Sequence, residues 1–125
     1  MTRLHVLTAA FHDMCRLLAV HPTLKTLKAS GTQLTTASFI AIAHTLQHHH
    51  RLEELDVSDN LRNKNDASPS NHAVSMLHLG KALLANKGLK RMNLSRLGIA
   101  DEDLLEHLGK PIAHNQQLQK INLSR

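Results

Sequence analysis

The phrase Leu-x-x-Leu, or a close variant, recurs four times in this chain, each time with a small or aliphatic residue two positions later. It stands as Leu24-x-x-Leu27-x-Ala29, Leu52-x-x-Leu55-x-Val57, Leu89-x-x-Met92-x-Leu94 and Leu118-x-x-Ile121-x-Leu123. The starts lie 28, 37 and 29 residues apart (24 to 52, 52 to 89, 89 to 118). A period in this range leaves few folds open. One unit is too small to bury its own apolar face, so neighbouring units must stack and share a core. Such an array presents a surface more readily than a deep pocket, which turns the functional question towards binding.

Counting back from the first Leu of each phrase reveals a second register. Phe11, Phe39, Met76 and Leu105 stand thirteen residues before it, and Met14, Ile42, Leu79 and Leu108 ten before. Cys15, Ala43, Gly80 and Gly109 stand nine before, and Leu18, Leu46, Leu83 and Ile112 six before. Steps of three and four residues return to one side of a helix. Each strand phrase is therefore predicted to follow a helix, and all four helices to share an inward face. The small residue nine before predicts a close approach to the strand layer. Cys15 belongs to that series and reads as a packed small residue rather than a reactive thiol. His21, His49, Asn86 and Asn115, three before, are expected to close the helices. Asp101-Glu102-Asp103 reads as a helix start with Asp101 as its cap. Pro111 is expected to kink or shorten the last helix.

This pattern resembles the ribonuclease-inhibitor type of leucine-rich repeat. The resemblance rests on the Leu-x-x-Leu phrases, the 28- and 29-residue spacings, and segments such as His21-Pro22-Thr23-Leu24 and Asn86-Lys87-Gly88-Leu89. It implies one α/β domain over residues 1–125, a short horseshoe-shaped leucine-rich-repeat solenoid. About four parallel strands are expected on the concave face and four helices on the convex face. The implied divisions are a leading helix at 1–23, repeats at 24–51, 52–88 and 89–117, and a terminal strand at 118–125. The helix, over about Thr2 to Val20, is expected to have no strand before it. The family's Asn at position nine of the phrase is present once, as Asn60, with Thr32 and Leu97 in its place in the first and third repeats. The second repeat is longer by about nine residues, and the polar stretch at about 62–71 reads as an exposed insertion that could meet a partner. The last strand is expected to show a free edge, which predicts a homo-oligomer through it or a fragment of a longer array.

The composition narrows the partners. The 125 residues carry a formal charge of +5, eleven histidines, one cysteine, two Phe and no Tyr or Trp. Base-stacking platforms need exposed aromatics, so nucleic-acid binding is disfavoured. The basic excess keeps nucleic acid or an anionic membrane surface as the alternative to a protein partner. A single cysteine forms no intrachain disulfide, and no apolar run is long enough to span a bilayer. An intracellular, cytoplasmic setting is expected.

No catalytic constellation is evident and no cofactor is expected. The glycines form neither GxGxxG nor GxxxxGK, and no Gly-x-Ser-x-Gly elbow occurs. His44, His48 and His50 are candidates only for adventitious metal binding, and the side chains of Glu106 and His107 are expected to diverge on their helix. Alternation along the strands instead points Lys28, Glu54, Asp56, Ser58, Arg91, Asn93, Ser95, Arg96, Lys120 and Asn122 away from the core. These residues form the candidate partner face, and their charges are expected to pair between strands, Lys28 beside Asp56, and Asp56 or Glu54 beside Arg91 or Asn93. The leading expectation is a non-enzymatic protein-interaction scaffold. Regulation of a small GTPase is a lesser alternative that the resemblance implies, as are nuclease or cytoskeletal partners such as actin.

Overall fold

A computed structural model describes residues 3–5, 23–31, 34–49, 51–61 and 68–124, with side chains at 3–5 and 101 left aside. The order is β1 (Arg3–His5), β2 (Thr26–Lys28), α1 (Thr36–Leu46), β3 (Glu54–Asp56), α2 (Pro69–Ala85), β4 (Arg91–Asn93), α3 (Asp101–His114) and β5 (Lys120–Asn122). The fold is α/β. All five strands are parallel and lie side by side in chain order. Parallel crossovers are right-handed, so strands in chain order carry every intervening helix to the same side of the sheet.

The four Leu phrases locate β2 to β5. The middle residue of each strand aligns with the next, Leu4 with Leu27, Leu27 with Leu55, Leu55 with Met92, and Met92 with Ile121. Leu27, Leu55 and Met92 are buried in one cluster with Phe39, Ile42 and Leu46 of α1 and Met76, Leu79 and Leu83 of α2. Their strand neighbours point to the other face and are half-buried. That alternation is the pleat of a strand with one face on a core and the other open.

Three structural expectations about the elements are corrected. The chain does not open directly on a helix, because β1 precedes it and extends the sheet beyond β2. The sheet therefore has five strands among the described residues rather than four, and three helices are described. The expected leading helix, with Phe11, Met14, Cys15, Leu18 and His21, lies outside the described residues. The insertion expected at 62–71 ends earlier, since Ser68 caps α2 by accepting from the Asn71 N–H and Pro69 occupies the first turn. Proline fits there because its missing N–H has no intrahelical partner to lose. Residues 62–67 lie outside the described residues.

The helices correct four more. Gly80 is small because of the neighbouring helix, not the strand layer: a Cβ there would stand 2.3 Å from the His107 carbonyl oxygen and 3.3 Å from Pro111 Cγ. Leu105, expected to face inward, is 75% exposed, whereas Phe39 and Met76 at the same register are 3% and 0% exposed. Pro111 does not end α3, which runs on to His114. Ala100, rather than Asp101, is the cap residue of α3, and it makes no side-chain cap bond.

The helix ends are tied together by a row of polar side chains. Asn86 donates to the carbonyls of Leu46 and His49 at 2.7 and 3.0 Å and accepts from the Gly88 and Leu89 N–H groups. Asn115 repeats this one unit on, donating to Leu83 and Asn86 and accepting from Gln117 and Leu118. His49 holds the equivalent place, its Nδ1 accepting from the Leu52 N–H at 3.2 Å. Asn86 and Asn115 thereby satisfy carbonyls at the helix ends that have no partner within their own helix.

Candidate functional site

The open face of the sheet is built from the first and third residues of each strand. Thr26 and Lys28, Glu54 and Asp56, Arg91 and Asn93, and Lys120 and Asn122 stand in register across β2 to β5. A shallow groove of about 220 Å³ runs over them, lined by Lys28, Glu54, Asp56, Arg91, Asn93, Lys120 and Asn122, with Leu55 and Met92 at its floor. Seven of the ten sequence-predicted face residues thus line one groove, and Ser58, Ser95 and Arg96 do not.

The register brings Lys28 beside Asp56 and Glu54 beside Arg91. Arg91 Nε lies 3.6 Å from Glu54 Oε2, and Lys90 Nζ lies 3.6 Å from Glu53 Oε1. These pairs are partly exposed, so water and salt screen them and each contributes at most about 1 kcal/mol. They organise the face without locking it.

Several of these polar groups are committed to the fold. Asp56 Oδ1 accepts from the Ser58 N–H at 3.0 Å and from Ser58 Oγ at 2.6 Å. Asn93 accepts from Ser95 in the same way, and Asn122 from Ser124. Each is an Asx turn that ends its strand. Ser58 Oγ also lies 2.9 Å from Ser30 Oγ across the β2–β3 pair, and both Ser58 and Ser95 are buried. The face therefore offers a partner Lys28, Glu54, Arg91 and Lys120 above all. The signal for the turns is the Asp/Asn-x-Ser spacing at 56–58, 93–95 and 122–124.

Arg96 sits on the turn beyond β4 and is exposed, with φ of +57°. Asp59 stands at the same register with φ of +54°, and Gly31 with +62°. This left-handed step reverses the chain towards the next helix. The following buried Asn60 donates to the carbonyls of Ala29, Val57 and Ser58 and accepts from Leu34 N–H.

A second groove, about 320 Å³, lies at the N-terminal rim of the strands and was not anticipated from the sequence. Lys25, Arg51, Lys87 and Lys90 line it together with Glu53. These cations come from separate turns, and only the strand register gathers them. They extend the positive character of Lys28, Arg91 and Lys120 over one end of the sheet.

The histidines do not form a three-ligand cluster among the described residues. His44 and His48 meet edge to face on α1 with ring centroids 5.6 Å apart, both exposed. His50 lies outside the described residues. Asp103, Glu106 and His107 instead carry ligand atoms within 4.8 Å of one another on α3, so Glu106 and His107 do not diverge as expected. One helical turn explains the grouping without a metal. No helix among the described residues is long and apolar enough to cross a membrane.

No protein-family model matches the chain, and no curated protein sequence matches it either. Among solved structures it is similar to Leiomodin-1 Actin-Binding Site 2, with a TM-score of 0.78 and 19% identity. The match covers 100% of this chain and 71% of that one. This finding corrects the assignment to the ribonuclease-inhibitor-like leucine-rich repeats, because the structural likeness is to an actin-binding domain. What is shown is an α/β fold with a parallel sheet.

Proposed function

We propose that this chain is a non-enzymatic protein-binding domain that docks an acidic protein surface on the open face of its sheet. The observation that carries this reading is the groove over β2 to β5, where Lys28, Arg91 and Lys120 stand in register on a rigid ladder. Three cations outnumber the two carboxylates, Glu54 and Asp56, so the groove keeps a net positive charge. The basic rim at Lys25, Arg51, Lys87 and Lys90 continues the same field. Charge of one sign over a face steers association and selects partners more than it sets final affinity. An intracellular setting accompanies this reading, on the single cysteine.

Actin is the first partner to test, because the solved structure with the same fold is named as an actin-binding site. Binding of purified actin is measured for the wild type and for the Arg91→Glu/Lys120→Glu variant. Saturable binding that the variant loses supports the reading for actin. Equal binding by both proteins removes the face from consideration. If actin does not bind, affinity capture with the same two proteins identifies partners held by the wild type alone, and capture of none overturns the proposal. Steep, salt-dependent binding to generic duplex DNA would favour the nucleic-acid alternative instead.

A further inference from the structure

The exposed side of α3 and the free edge of β5 carry a second surface. Phe39 of α1 and Met76 of α2 are buried in the core, while Leu105 at the same register of α3 stands in solvent. Leu105, Gly109, Ile112 and Leu123 form an apolar groove of about 250 Å³. Gly109 holds the register of Gly80, whose missing Cβ lets α3 come close to α2. At Gly109 a Cβ would meet only Leu105 of its own helix, at 3.4 Å. The helix thus keeps a notch of the shape that receives another helix. Beside it, β5 is hydrogen-bonded to β4 alone among the described strands, and its other backbone edge has no strand partner among them.

The charges along α3 say which helix fits. Glu102 and Glu106 are exposed on its first half, and Lys110 and His114 on its second half. A parallel neighbour of the same kind would set like charge against like. An antiparallel copy sets Glu106 against Lys110 and Glu102 against His114, twice over, with Leu105 facing the Gly109–Ile112 notch of the other chain. We propose that this surface binds a second copy of the chain about a two-fold axis normal to the sheet. The same axis pairs the two β5 edges antiparallel, so one operation satisfies the apolar groove, the charges and the free strand edge. Such an interface is closed and self-complementary.

The test uses two single variants, Glu106→Lys and Lys110→Glu, both at exposed positions. Sedimentation velocity is run in EDTA, because Glu106 also belongs to the Asp103/His107 cluster. Far-ultraviolet circular dichroism first checks that both variants keep the wild-type helix content. The wild type is expected to sediment as a dimer at micromolar concentration and each variant alone as a monomer. In the 1:1 mixture every facing pair is again opposite in charge, and the dimer is expected to return. A monomeric wild type at about 100 μM would overturn the proposal and leave the groove to a different protein. Variants that dimerise as the wild type does, or a mixture that stays monomeric, would overturn the antiparallel arrangement.

Discussion

The side-chain amide of Asn115 donates to the backbone carbonyl of Asn86 at 3.2 Å, and Asn86 in turn donates to the carbonyl of His49 at 3.0 Å. Three units are joined end to end by this row. Asn86→Ala leaves two buried carbonyls and two N–H groups short of a partner, with an expected cost of about 2–4 kcal/mol in urea unfolding. His49→Asn restores the same acceptor–donor geometry and is expected to lie within about 1 kcal/mol of wild type, with His49→Leu clearly worse. Equal losses in the two His49 variants would show that the ring's volume, not its acceptor, matters there.

Gly80→Ala is expected to destabilise the chain by about 1–3 kcal/mol, against the usual helix preference for Ala. The new methyl would meet the backbone oxygen of His107, which cannot swing away as a side chain can. A raised midpoint for Gly80→Ala in urea would mean that the two helices separate freely.

Two buried polar positions are expected to behave oppositely. Asn60 makes four hydrogen bonds in the interior, and Asn60→Ala should lose about 2–3 kcal/mol. Ser75 Oγ is buried without a partner, so Ser75→Ala is expected to be neutral or to gain up to about 1 kcal/mol. Thermal unfolding of both variants provides the comparison, and a large loss at Ser75 would reveal a bond not seen here.

Charge reversal on the face should separate binding from stability. Arg91→Glu removes one partly exposed pair with Glu54, and its effect on unfolding is expected to stay within about 1 kcal/mol. Added salt should shrink that difference further. A larger, salt-insensitive loss would recast Arg91 as a structural residue.

The strands were the most legible part of the sequence. A buried middle residue between two outward ones leaves a short fixed phrase, and β2 to β5 each fall within one. β1 escaped because its phrase, Met1-x-x-Leu4-x-Val6, begins with Met and only 23 residues separate it from the next (1 to 24). Its Leu4 nevertheless aligns with Leu27. Leu105 was misread for a different reason: periodicity shows which way a side chain points on its helix, whereas its burial depends on the next helix. Gly80 likewise revealed that something comes close, and the structure showed that it is α3. On the candidate face, alternation picked out the first and third residues of the strands, but it also named Ser58 and Ser95, which are buried. It could not show that Asp56, Asn93 and their serines are spent on turns, nor that four cations from three separate turns gather at one rim.

Because each described outward position from β2 to β5 belongs to a three-residue strand held by backbone hydrogen bonds, the face is a lattice with two columns and four rows. The rows are about 4.8 Å apart whatever side chains they carry. Recognition is thereby uncoupled from folding. At the five squares other than Asp56, Asn93 and Asn122, which hold the turns, the alphabet can change one letter at a time while Leu27, Leu55 and Met92 beneath stay as they are. A domain made this way can acquire a new partner by rewriting its surface, with the same ladder serving as the page.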